Sequence, residues 1–533
     1  MTTELTKGRR TLVLAVVALA LMMVVSAVSG LNVALPDLSA ATGASQTQVI
    51  WIVDAYTLVF VGFLLPAGAI GDRYGRKGTL VAGLTVFGAA AAAALFVSSP
   101  STLIALRGVM GLGAAAVMPT TLSIITTSFP PAERGRAVGV WVGVAGGGAV
   151  LGLLASGALL EFFAWNSFFA LNVVLAAVAL IGTLLVIPTS RDADAPRLDP
   201  LGGLFSLLAA VGIVFGIVEG PDRGWGDALT VTGFAVGALA LAAFVGWELR
   251  RAEPLLDVRL FRLKGFGAGS GVIMIQFFGS FGLFFIILQY LQYVANLSPF
   301  RAAIALLPLP MFLVPTARNA PKIAARVGAN RILPLGLVLS ASGLAVMTTL
   351  GTHLVYWHLA LGLALFGAGM GLAGTPATTA IVSSLPAAKQ GVGSAMNDLS
   401  RELGSALGIA VLGSTLSATY RSHVAAATAG LPQQAATGAQ SSIAFVKNAS
   451  GKLTQFGPKG RHLLNSAQSS FVDAAHAAFV TAIVVLLAGA VFAALRAPHK
   501  GDSAFAESAE SAESAEGAGT EAGTGTGMPA EVA

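Results

Sequence analysis

No cysteine occurs in the 533 residues, so neither disulfide bonds nor thiolate chemistry enters the fold or the activity. Charge is also scarce: Asp, Glu, Lys and Arg make up 11% of the chain, where a soluble globular domain carries about 25%. The six histidines are scattered without metal-ligand spacing, so no metal centre is expected. The phosphate-cradling pattern GxxxxGK[ST] is missing. The one Gly-Lys pair, Gly451-Lys452, has Val446 where the first glycine of that pattern would stand, which argues against an ATP-driven pump. "GMGLAG" at 369–374 matches GxGxxG but lies inside an apolar run with no strand before it, so close helix packing by small residues explains it better than a dinucleotide site. An enzyme, a cofactor and a nucleic-acid partner are all unexpected.

What the chain does have is hydrocarbon: 55% of its residues are hydrophobic and the mean hydropathy is +0.79. Apolar runs of about 20 residues, long enough to cross about 30 Å of bilayer interior, recur about fourteen times between Thr11 and Arg496. They begin near residues 11, 49, 78, 101, 136, 166, 200, 228, 266, 301, 331, 355, 390 and 471. The first follows Lys7, Arg9 and Arg10, as in a signal peptide, but its length and the many later spans favour a retained helix. An all-α, polytopic protein embedded in lipid is the expectation.

Basic residues sort by side. Arg73, Arg76 and Lys77 follow the second span, Arg134 and Arg136 the fourth, and Arg191 and Arg197 the sixth. Arg250 to Lys264 follow the eighth, Lys322 to Arg331 the tenth, and Arg496 with Lys500 the last. By the positive-inside rule, both termini are then cytoplasmic. The connection 419–470 is the exception, an outer loop with five bases. After Gly501 the tail "AESAESAESAE" carries acids and no base; lacking apolar residues to bury, it is expected to be disordered.

The motifs narrow this further. "GAIGDRYGRK", Gly68 to Lys77, fits G-x-x-x-D-R-x-G-R-[RK]: Gly68 and Gly75 for close approach and a tight turn, Arg73, Arg76 and Lys77 to hold the loop inside, and Asp72 in need of a positive partner. "AARVGANR" at 324–331 echoes it without the acid, as two related halves would. This pattern resembles the loop between helices two and three of the major facilitator superfamily. The spacing of spans, six and two and six, is similar to its fourteen-helix drug/proton antiporter branch.

That resemblance implies two six-helix halves, 1–190 and 266–500, with a two-helix insert and linker at 191–265, the extracellular loop at 419–470 and the tail at 501–533. It implies a gating role for the Gly68–Lys77 loop, with Asp72 docking on the N-terminus of the helix that starts near Gln390. It also gives Arg107, in "LRGVMGLGAAAVMP", the place of the family's fourth-helix arginine. "SRELGSALGIAVLGS" resembles the thirteenth helix, where quaternary-ammonium exporters carry two acids at the positions of Asp398 and Glu402. Two departures matter. Ala27 stands where the first helix of the branch commonly has an acid, and the helix-five signature keeps Gly152 and Gly157 of "GLLASG" but has Leu153 for proline and Ser156 for glycine.

Asp398, Arg401 and Glu402 sit in the middle of an apolar span. At 1.5 Å per residue from residue 390 the acids lie about 12 and 18 Å along the helix, near the bilayer midplane, and at a spacing of four they share a face. An ionised acid there costs at least about 2.5 kcal/mol, so it needs a partner or a watery cavity. Arg401 can neutralise one of the two; a structural ion pair and a site for protons and cations both remain open. Asp54 and Arg107 lie at matching depth on spans two and four and form a second candidate pair, with interfacial placement beside Trp51 as the competing reading of Asp54. "IQFFGSFGLFFIILQYLQY" at 275–293 offers aromatic faces for organic cations, although packing alone could explain it.

The expected activity is proton-coupled export of lipophilic, chiefly cationic, drugs or antibiotics across a bacterial cytoplasmic membrane, driven by the proton gradient. The partners would be small lipophilic or cationic substrates, protons and lipid. A proton-independent facilitator of a neutral solute, and a receptor or scaffold signalling through the acidic tail, are the alternatives.

Overall fold

A computed structural model describes residues 6–190, 199–251, 254–385, 390–429, 431–450 and 458–499. The acidic tail and Arg191, Arg197, Lys452 and Lys500 lie outside the described residues, as do the side chains of Arg134, Arg136 and Lys459.

The described chain is helical throughout. The first eight helices are α1 (Lys7–Thr42), α2 (Gln46–Tyr74), α3 (Arg76–Ala94), α4 (Pro100–Ser128), α5 (Pro131–Phe162), α6 (Ser167–Val186), α7 (Pro200–Arg223) and α8 (Ala228–Glu248). Then come α9 (Lys264–Gln289, extended by a π turn, Tyr290–Val294), the short α10 (Pro299–Ala305), α11 (Pro308–Val327), α12 (Ala329–Met347), α13 (Tyr356–Ser383) and α14 (Gln390–Val424). Two short helices, α15 (Gln433–Ser441) and α16 (Ile443–Asn448), precede the last, α17 (Pro458–Arg496). Among the described residues, thirteen spans have the length and hydropathy to cross a membrane, with α10 and α11 joined as one. α5, 32 residues long, is the remaining long helix. The expected starts hold to within a few residues except at the end: α17 begins at Pro458, well before 471. Its first turns are polar, so hydropathy alone misses them. The connection 419–470 is likewise not a bare loop, since it contains α15 and α16.

Local chemistry sets the ends. Ser45 and Gln48 form a reciprocal capping box at the start of α2, and the Asp199 and Asp227 carboxylates accept the first amides of α7 and α8. Gly75, at φ 127°, ends α2 and begins α3, a conformation that side chains rarely adopt. Gly328, in the echo motif, does the same between α11 and α12 at φ 90°.

α1 packs on α5 and α6, α2 on α4, and α3 on α4 and α6; α9 packs on α13, α14 and α17, and α12 on α13 and α17. α7 and α8 pair with each other, and α7 also touches both α2 and α14. Large apolar side chains such as Leu185 (75% exposed), Leu239 (71%) and Leu495 (77%) cover the outside, as a surface facing lipid tails requires.

Candidate functional site

Between α1, α2, α4 and α5 on one side and α9, α10, α11, α13 and α14 on the other lies a cavity of about 520 Å³. Its wall is mostly aliphatic, with Phe60, Phe277, Phe281 and Phe284 as its aromatic faces and Ser29, Asn32 and Ser280 as uncharged polar ones. Of the described lining residues only Arg401 and Glu402 carry charge. The aromatic run of α9 therefore divides: Phe277, Phe281 and Phe284 face the cavity, whereas Phe278, Phe285, Tyr290 and Tyr293 are buried in packing. Asn32 and Ser29 on α1, and Met370 on α13, were not read as lining from sequence. Asn32 is a polar residue within the largely apolar first span, and that was the signal available in the sequence.

The Glu402 carboxylate has one oxygen, Oε2, buried without a hydrogen-bond partner. Arg401 lays its guanidinium over the Phe277 ring, 4.7 Å from the centroid, and its Nε is likewise unpartnered. Its Nη1 stands 3.9 Å from Asp398 Oδ1, an ion pair too long for a hydrogen bond. Asp398 is outside the cavity wall. The two acids thus share a helix side, as their spacing requires, but only Glu402 meets the cavity. Four residues overshoot one turn by about 40°, enough to separate their surroundings.

Asp54 and Arg107 are both fully buried, yet no ion pair joins them among the described residues. Arg107 Nε donates to the Ile52 carbonyl (3.0 Å) and Nη1 to the Ala27 carbonyl (3.3 Å), with the guanidinium 4.3 Å from the Tyr56 ring centroid. Both Asp54 oxygens lack a partner. Ala27, at the place of the missing acid, thus meets the arginine through its backbone. Burial also rules out interfacial placement of Asp54 beside Trp51 within the protein.

In the Gly68–Lys77 loop, Asp72 accepts from Arg76 Nε (2.8 Å) and from Ser123 Oγ (2.7 Å). Its expected docking on the start of α14 falls at 386–389 and the Gln390 side chain, outside the described residues. Lys77 Nζ donates to the Leu184 carbonyl (2.9 Å) and Arg76 N to that of Ser190 (2.9 Å), tying the loop to the end of α6, while Arg73 is exposed. Gly75 makes the expected turn. Gly68 is not tightly pressed: an added Cβ would meet Pro119 at 3.4 Å, ordinary contact. The helix-five glycines are pressed. A Cβ at Gly152 would lie 2.7 Å from Ser26 Cα of α1, and one at Gly157 would lie 3.1 Å from Phe300 Cα of α10.

At the end of the bundle remote from Arg73, four hydrogen bonds among the described residues cross directly between the two sides. Gln46 Nε2 donates to Gln289 Oε1 (3.2 Å), Gln292 Nε2 to the Val33 carbonyl (3.0 Å), Tyr293 OH to the Pro36 carbonyl (3.1 Å) and Asn448 Nδ2 to the Ala40 carbonyl (2.8 Å). Lys447 reaches Asn296 at the same end, where burial pulls its ammonium below the usual lysine range. α7 adds a bridge: Asp222 accepts from Thr47 of α2 and from Arg421 of α14, Glu219 accepts from Trp51 Nε1 (2.8 Å), and Ser414 Oγ donates to the Ile217 carbonyl (2.9 Å).

Residues 17–409 match the Major Facilitator Superfamily. The chain is 32% identical over 492 residues to the multidrug efflux pump LfrA of Mycolicibacterium smegmatis, covering 92% of this chain and 97% of that one. It is 33% identical over 489 residues to the methyl viologen resistance protein SmvA of Salmonella typhimurium (91% and 97% covered) and 34% identical over 417 residues to a puromycin resistance protein of Streptomyces alboniger (77% and 83%). Among solved structures, a bacterial homologue of the lysosomal transporter Spinster, inward-facing and unoccupied, superposes with a TM-score of 0.66 at 17% identity, over 92% of this chain and 98% of that one.

Proposed function

The chain belongs to the Major Facilitator Superfamily, and on that premise we propose that it exports lipophilic, cationic drugs or antibiotics in exchange for protons, by alternating access. It is a multi-pass transporter of the bacterial cell membrane, and its relatives are multidrug and antibiotic efflux pumps. In this reading residues 1–190 and 266–500 are the two moving halves, 191–265 is an insert, and the end carrying Arg73, Arg76 and Lys77 faces the cytoplasm. The conformation described here is then sealed to the outside by the four cross-bundle hydrogen bonds.

The observation that carries the proposal is Glu402: among the described residues, the one carboxylate in the wall of a mostly apolar and aromatic cavity, with one oxygen lacking a partner. Such a group in low dielectric accepts either a proton or an organic cation, and the two compete. The Phe281 and Phe284 faces favour the same class of ligand. Asp398 acts through Arg401 rather than by touching substrate, and the Asp72 loop holds α2, α3 and α4 in register during gating. Reconstitution tests the reading. Purified protein in liposomes with an imposed ΔpH should accumulate a lipophilic cation against its gradient. Downhill flux alone would assign a facilitator, and no flux a receptor or scaffold.

A further inference from the structure

The cluster on α14 holds two carboxylates and one guanidinium, Asp398, Glu402 and Arg401, and the rest of the described cavity wall is uncharged. Asp54 of α2 and Arg107 of α4, the fully buried charged groups of the facing side, stand outside that wall, as do Asp72 and Arg73 at the end of α2. With all three α14 groups ionised, the cluster carries one net negative charge. A single positive charge balances it, and a proton on Glu402 does so as well as a monocation beside it. A dication leaves one positive charge uncompensated next to the Arg401 guanidinium, whose Nε already lacks a partner and whose stacking on Phe277 keeps it at the wall.

Resting on the reading above, we infer that the site is matched to singly charged substrates and that Arg401 is the residue that rejects dications. One proton leaves Glu402 as one monocation enters, so the charge of the occupied site stays the same on both legs of the cycle. The sequence alone leaves this open, because two acids one turn apart offer two negative charges and Arg401 can neutralise one of them. The placement of Arg401 in the wall, with Asp398 behind it, decides it.

At an effective dielectric constant of about 20, the repulsion between a second unit charge and the Arg401 guanidinium about 7 Å away amounts to roughly fifty-fold in affinity, of which Asp398 behind it and water in the cavity screen part. The test uses the full chain in lipid nanodiscs and a pair of ligands alike in shape. N-methyl-p-phenylpyridinium carries one charge, and methyl viologen, its twofold-charged counterpart, carries two. The wild type should bind the monocation at least about tenfold more tightly. Arg401→Gln should narrow that ratio about tenfold or more, chiefly through a gain for the dication, while Arg401→Lys, which retains the charge, should preserve it. Comparing ratios between variants cancels the partition of each ligand into lipid. Wild-type protein that binds both ligands equally, or an Arg401→Gln ratio unchanged from wild type, overturns the inference while leaving cation export standing. Failure of wild-type protein to bind either cation overturns both. If Arg401→Gln is not monodisperse, the wild-type ratio decides.

Discussion

Replacing Glu402 by Gln removes the cavity's single described carboxylate while keeping its volume and some of its hydrogen-bonding capacity. An ionised carboxylate about 4 Å from a ligand cation contributes about 4 kcal/mol at an effective dielectric constant of 20. Glu402 faces an open cavity and has Arg401 beside it on the wall, so roughly half of that is a reasonable share to lose, about 2 kcal/mol or about thirtyfold in affinity. Coupling should suffer more than binding, because a neutral amide can no longer exchange a proton for the ligand. The assay is ΔpH-driven uptake of a lipophilic monocation into proteoliposomes, alongside its equilibrium binding, using variant protein shown to be monodisperse. The expected outcome is that the response to ΔpH disappears while weak downhill flux remains. Normal ΔpH-driven accumulation by well-folded Glu402→Gln protein would refute the reasoning and move the coupling site to the buried, unpartnered Asp54. Asp398→Asn, outside the wall, should act through the freed Arg401 and combine non-additively with Glu402→Gln.

Three further outcomes follow from the geometry. Asp72→Asn weakens the acceptor for Arg76 and Ser123 and should slow export at matched protein levels without preventing insertion; unchanged export would make the loop merely topological. Asp222→Asn cuts the α7 bridge to Thr47 and Arg421, so the outer end should open more often. Because the chain has no cysteine, a single cysteine introduced near Val33 reports this directly, as faster labelling by a membrane-impermeant maleimide than in the Asp222 parent; equal rates would show that α7 is not a latch. Deleting 501–533 should leave transport intact, and a large loss at normal expression would show that the tail has a role.

The membrane class and the helix count followed from the sequence because they depend on quantities summed along the chain: about 20 apolar residues per crossing and few charges between them. The Gly68–Lys77 motif was legible for a related reason. Its turn needs glycine at one backbone position, and Gly75 at φ 127° occupies it. The same arithmetic put Asp398, Arg401 and Glu402 at mid-bilayer depth. Depth, however, is not direction. Asp54 and Arg107 stand at matching depths on helices that touch, yet the arginine turns to the Ile52 and Ala27 carbonyls and the Tyr56 ring. Which α9 aromatics line the cavity, and which acid of α14 reaches it, depended on how each helix is rotated about its axis. That rotation is set by side chains from other helices, such as Ser26 of α1 against Gly152 of α5 and Phe300 of α10 against Gly157. Nor could periodicity place α7, since its bridge from Thr47 on α2 to Arg421 on α14 joins residues far apart in the chain. The sequence determined how far along its helix each charge lies; tertiary packing alone decided what each one faces.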